Sequence, residues 1–201
     1  MIFLNENQII EACECLEKGE IIAFPTETVY GLAVLSTSKE NFDKLVKIKH
    51  RHPDKPFTLM ISNIEQVKDY VELNDVSKKI INKFTPGELT IIVKSKSNIP
   101  QYLDLGTGFI GIRIPNSSYV LKLIDTLNEP LLVPSANPSD LPPAKNSKEV
   151  YEYFKDGLAA IVEGETKSNV PSTVIKVDGD NVILLRQGNI KLDDILKEIN
   201  K

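Results

Sequence analysis

The chain has 201 residues, with 24 lysines and arginines against 28 aspartates and glutamates, a net charge of −4 and an apolar share of 41%. That length suits one domain with a substantial core and no separate second module, and the acidic balance excludes a nonspecific nucleic-acid coat while allowing a local basic patch. Met1 to Glu6 lacks a charged start and a long apolar core, and no run reaches membrane-spanning length, so a cytoplasmic protein without membrane association is expected.

In chain order, Asn5 followed by an amphipathic stretch to Lys18 and then Gly19 reads as a capped first helix. It carries the two cysteines, Cys13 and Cys15, which diverge on a helix and read as packing or surface thiols. Ile21 to Phe24 is an apolar, β-branched run bounded by Gly19 and Pro25 and predicts a buried strand. Proline cannot donate to a sheet, so Pro25 marks where pairing stops and where Thr26, Thr28 and Tyr30 turn to a cleft, ahead of a turn at Gly31. The alternative is a plain loop whose threonines cap a helix. Ser38 caps a helix through about Ile48. Strands are predicted at 57–61, 90–94, 110–114, 131–134, 159–162, 173–177 and 182–186, and helices at 64–70, 76–84, 119–127, from Ser147, and at 192–199. Strands and helices interleave without a strict βαβ rhythm, which points to an α/β fold with a twisted, mixed sheet and helices against it.

Four stretches could carry chemistry. Lys44, Lys47, Lys49, Arg51 and Lys55 place five cations within twelve residues of an acidic chain, around Lys49-His50-Arg51-His52-Pro53-Asp54-Lys55. An anion is one explanation and cations at a helix C-terminus are the other. Gly106 to Gly111 matches G-x-G-x-x-G, but a strand follows the first glycines where a dinucleotide fingerprint needs a helix, so a bend or a close backbone approach is the better reading. Within that strand Arg113 needs an anionic partner, either a ligand or an internal carboxylate. Ser135 and Asn137 follow an apolar run ending at Pro134 and can share one face, or form an Asx-type turn. Ser172 follows Pro171 at another strand start, and Arg186 closes the last strand after an Asp178 to Asn181 hairpin turn. A phosphate loop, a G-x-S-x-G elbow, a Cys/His metal cluster and an H-E-x-x-H pair are missing from the sequence. Cations and hydroxyls without a strong nucleophile suit a reaction whose substrate brings its own.

Taken in order, Pro-Thr-Glu-Thr-Val-Tyr-Gly-Leu at 25–32, Lys-x-Arg at Lys49 and Arg51, Arg-x-Pro at Arg113, Ser-x-Asn at Ser135 and Asn137, Pro-Ser-Thr at Ser172 and the late Arg186 resemble the YrdC/YciO family. The resemblance implies an open α/β sheet with a concave, positively charged cleft. It implies a nucleotidyltransferase that converts L-threonine, bicarbonate or CO2 and ATP into threonylcarbamoyl-AMP and pyrophosphate for tRNA modification. By position, Thr26, Thr28, Tyr30, Arg113, Ser135 and Ser172 would hold threonine, while Lys49, Arg51, Lys55, Asn137, Lys145 and Arg186 would hold ATP. Lys49, Arg51, Ser135 and Asn137 would be catalytic, and Mg2+ would arrive with ATP without a protein cage. A downstream threonylcarbamoyl transferase complex and tRNA or double-stranded RNA are the implied partners. Lys55-Pro56-Phe57, Met60, Asp140 and Lys145 depart from the usual pattern toward the YciO branch. The alternative is therefore a YciO-like RNA-binding paralogue with little or no synthase activity.

Overall fold

A computed structural model describes residues 1–52 and 55–200; Pro53 and Asp54 of the basic run lie outside the described residues, as does Lys201. The first half of the chain lays down β1 (Ile2–Leu4), α1 (Ile9–Glu17), β2 (Ile22–Phe24), β3 (Gly31–Leu35), α2 (Lys39–Lys49), β4 (Thr58–Met60), β5 (Val71–Glu72), α3 (Asp75–Phe84) and β6 (Leu89–Ser95). The second half adds α4 (Gln101–Asp104), β7 (Phe109–Arg113), α5 (Ser118–Leu127), β8 (Leu131–Leu132), α6 (Ser147–Phe154), β9 (Ala160–Val162), β10 (Thr173–Asp178), β11 (Asn181–Arg186) and α7 (Leu192–Ile199). The strands form one sheet in the order β1-β9-β2-β3-β8-β4-β7-β6-β10-β11, with β5 attached to β6. Pairing is mixed: β1 with β9, β4 with β7 and β6 with β10 are parallel, while β2 with β3, β6 with β7 and β10 with β11 are antiparallel. This is the mixed α/β sheet with flanking helices that the interleaved pattern predicts.

Alternation along the strands explains where the helices sit. Ala23, Leu32, Leu59, Ile91, Ile112 and Ile175 point to one face, where Leu45 of α2, Ile80 of α3, Val150 of α6 and Ile195 of α7 complete a core. Ile22, Phe24, Ala33, Leu131 and Val162 point to the other, covered by Leu16 of α1 and Leu123 of α5. That second core takes no residue from β6, β7, β10 or β11. Half of one sheet face is therefore uncovered, and its outward positions mix apolar residues such as Ile92 and Phe109 with the polar or charged Thr90, Arg113, Lys176 and Arg186.

Several local expectations change. Asn5 does not cap α1: its Oδ1 takes the Asn7 amide at 2.9 Å in a turn, because Ile2–Leu4 are paired to β9 and the helix starts only at Ile9. Gly31 opens β3 rather than merely turning the chain, and it lies so close to β8 that an added Cβ would sit 2.6 Å from Val133 Cγ1. The stretch expected as a helix over 64–70 is a 3-10 turn at Ile64–Val67 followed by β5. Cys13 and Cys15 are both buried, so packing and not surface exposure is their place. Ser38 does cap α2, its hydroxyl accepting from the Asn41 amide at 3.2 Å. Among the described residues no helix is long and apolar enough to cross a membrane.

Candidate active site

The uncovered face ends in a cleft built from strand termini. Arg113 closes β7, Ser135 follows β8, Ser172 precedes β10 and Arg186 ends β11. An irregular register between Val174 and Ile175 sets Arg186 opposite Val174, an extra twist that aims the guanidinium over the sheet. Arg51, Arg113, Arg186, Thr90, Ser135 and Ser172 line a cavity of about 150 Å³. A second cavity of about 440 Å³ adjoins it, sharing Arg51, Thr58, Thr90 and Arg186 and lined further by Thr107, Phe109 and Lys176. Size alone does not locate the chemistry. A separate cavity of about 740 Å³ is lined by Lys44, Lys47, His50 and Tyr153, so the basic run is divided between two sides of α2 and its following loop.

The cations are held differently. Arg51 donates from Nε to the Lys55 carbonyl at 3.1 Å and from Nη2 to the Pro56 carbonyl at 3.2 Å, and lies over the Phe57 ring at 5.0 Å. Arg186 donates from Nε to the Ser172 carbonyl at 3.0 Å and from Nη2 to Ser172 Oγ at 3.2 Å; burial first, and Arg113 second, lower its pKa. Ser172 Oγ also lies 2.9 Å from Thr90 Oγ1. Arg113 is buried and donates from Nη2 to Glu27 Oε1 and to Thr28 Oγ1, both at 2.9 Å. The internal carboxylate expected as its alternative partner is thus Glu27.

Other predicted site residues stand behind the cleft, not in its lining. Thr26 organises its own loop: its hydroxyl lies 3.0 Å from Thr28 Oγ1, donates to the Val29 carbonyl at 2.7 Å and accepts the Thr28 amide at 3.1 Å. Thr28 is fully buried and reaches the site through Arg113. Tyr30 is buried in the core. Its hydroxyl sits 3.0 Å from the Val162 carbonyl and 2.7 Å from that of Gly164, and burial raises its pKa far above the ordinary value. Lys49 is buried as well: 2% exposed, its Nζ donates to the Ser135 carbonyl at 2.5 Å and the Asn137 carbonyl at 2.6 Å, with Asn137 Oδ1 at 3.4 Å. Burial, and then Arg51, push its pKa down to about 7. Asn137 spends itself inside the turn, taking the Ser135 hydroxyl at 2.6 Å and giving Nδ2 to the carbonyls of Pro138 and Leu141. Lys55 and Lys145 are exposed and line neither cleft cavity.

Sequence reasoning passed over Thr58, Thr90 and Lys176. Each is a polar residue set between apolar ones at strand period, the same signal that singled out Arg113. Lys176 lies 3.4 Å from the Phe109 ring centroid and 3.4 Å from Asp178 Oδ2.

The Sua5/YciO/YrdC family model, described as "Telomere recombination", matches residues 14–188. A threonylcarbamoyl-AMP synthase of Photobacterium profundum is 33% identical over 92% of this chain and 99% of its own length. One from Pyrococcus abyssi is 31% identical over 98% of this chain, which spans only 59% of that relative. The solved structure of P. abyssi Sua5 complexed with L-threonine superposes with a TM-score of 0.93 at 31% identity, covering 99% of this chain and 61% of that one. The family model spans most of the chain, and the chain belongs to the Sua5/YciO/YrdC family.

Proposed function

We propose that the chain is a threonylcarbamoyl-AMP synthase, making threonylcarbamoyl-AMP and pyrophosphate from L-threonine, bicarbonate or CO2 and ATP for tRNA modification in the cytoplasm. The observation that carries this is the pair of adjoining cavities with Arg51 and Arg186 in both linings. A small polar end suits an α-amino acid, a larger end suits a nucleotide, and guanidinium groups at the seam face the place where phosphoryl transfer concentrates charge. Relatives of that name at 31–33% identity support the same reading.

The chemistry asks little covalent work of the protein. The threonine amine adds to CO2 and loses a proton to give a carbamate, whose oxygen attacks the α-phosphorus as pyrophosphate leaves. Arg113 meets the threonine carboxylate, with Ser135 and Ser172 at the same end; Arg51 and Arg186 bind phosphate oxygens. Lys49 and Asn137 hold the Ser135 turn in place. Magnesium would come with the triphosphate: among the described residues the cleft lining carries no carboxylate, so phosphate oxygens and water would be its ligands. The product would pass to a downstream threonylcarbamoyl transferase complex acting on tRNA.

The test is pyrophosphate release from ATP with threonine and bicarbonate, each omitted in turn. Release that needs all three is expected. A folded protein that binds ATP but releases no threonine-dependent pyrophosphate, and that instead binds double-stranded RNA in a salt-sensitive way, would replace this reading with the YciO-like one.

A further inference from the structure

Glu27 is the acidic residue of the Pro25 to Leu32 motif, and the proposed reaction gives it no part. Its side chain is 6% exposed and lies behind the small cavity, with Oε1 accepting from Arg113 Nη2 at 2.9 Å and from the Asn116 amide at 3.0 Å. Oε2 and Arg113 Nε are buried without partners among the described residues. Arg113 Nη2 is fully committed, since its second bond goes to Thr28 Oγ1. That leaves Nη1 as its terminal nitrogen without a protein acceptor among the described residues. Among the described residues the small cavity itself is lined by three arginines and by no aspartate or glutamate.

Three guanidinium groups around so small a space would favour a phosphate over a carboxylate, because attraction grows with ligand charge. Glu27 opposes this. Its charge offsets one arginine and repels a polyanion, and its bond to Nη2 fixes which face of Arg113 a ligand can meet. We infer that Glu27 is a positioning and specificity-determining residue: it orients Arg113 for the α-carboxylate of an amino acid and keeps phosphate groups out of the amino-acid end of the cleft. This rests on the synthase reading.

The test is calorimetric titration of the full chain with L-threonine, alone and in the presence of inorganic pyrophosphate. Glu27→Gln keeps the acceptor oxygen and removes the charge. It should weaken threonine binding several-fold, because a neutral acceptor holds the Arg113 guanidinium less firmly in orientation, and should make pyrophosphate compete with threonine, which it should not do in the wild type. Glu27→Asp keeps the charge but cannot span to both Arg113 and the Asn116 amide; it should weaken threonine several-fold without pyrophosphate competition. This second variant decides the matter if the first does not fold. Threonine affinity unchanged in either folded variant, or pyrophosphate competition already present in the wild type, would overturn the role of Glu27 alone. A wild type that binds no α-amino acid would overturn the synthase reading together with it.

Discussion

Replacing Lys49 with methionine separates two ways in which a lysine can serve this cleft. Lys49 Nζ holds the carbonyls of Ser135 and Asn137, and the Lys49 carbonyl accepts the Ser139 amide at 2.8 Å, so the turn carrying Ser135 is fastened to the end of α2 at two points. Methionine preserves the length of the stem and removes the donors. Two buried carbonyls then lose a partner, at about 1–3 kcal/mol each, and the relief of no longer burying an ammonium offsets part of this. A net loss of about 2–4 kcal/mol corresponds to a fall in Tm of about 4–16 °C for a chain of this length. Urea unfolding of the ligand-free protein reads the change as a lower midpoint at constant slope. An unchanged ligand-free midpoint combined with lost ATP affinity would refute this reasoning and put the ammonium on phosphate, where the family resemblance implies it.

Lys49 also gives a pH signature. With a pKa of about 7 in the fold against an ordinary 10.5, it binds fewer protons when folded than when unfolded between those values, so its contribution makes unfolding free energy rise from about pH 7 to 10.5. Urea midpoints across that window should climb more steeply in the wild type than in Lys49→Met, and equal slopes would contradict the burial argument. Tyr30→Phe should cost about 1–2 kcal/mol through the lost bond to the Val162 and Gly164 carbonyls and leave threonine affinity unchanged by calorimetry; a threonine-specific loss would return the phenol to the site. Arg186→Gln should raise the KM for ATP about tenfold with a smaller effect on that for threonine, and an unchanged ATP KM in the pyrophosphate assay would remove Arg186 from the phosphate site.

The strand-end motifs were readable because proline, hydroxyl and arginine at the close of an apolar run are local features. Arg113, Ser135, Ser172 and Arg186 follow that rule and do line the cleft. Depth was harder to read. Tyr30 and Lys49 carry polar atoms that look suited to a ligand, but each finds its partner in backbone carbonyls from other parts of the chain, and no window of sequence shows those carbonyls; Asn137 finds its partners within its own turn, as the Asx-type reading allowed. The strands at Ile2–Leu4 and Gly31–Leu35 escaped for a related reason. The first exists only because β9 lies beside it, and the second begins at a glycine that ordinarily ends a strand.

The pairing of β1 sets an order on how the molecule can come into being. Ile2 lies opposite Ala160 and Leu4 opposite Val162, and β2 also needs β9 as its neighbour. During synthesis the N-terminal strands therefore emerge long before their partner exists, and such distant pairings slow folding. The cleft comes later still, since Arg186 ends the last strand to join the sheet. A nascent chain halted before β11 would already hold Glu27, Arg51 and Arg113 yet lack one of the two guanidinium groups that line both cavities, so a partly made protein would have an incomplete phosphate site.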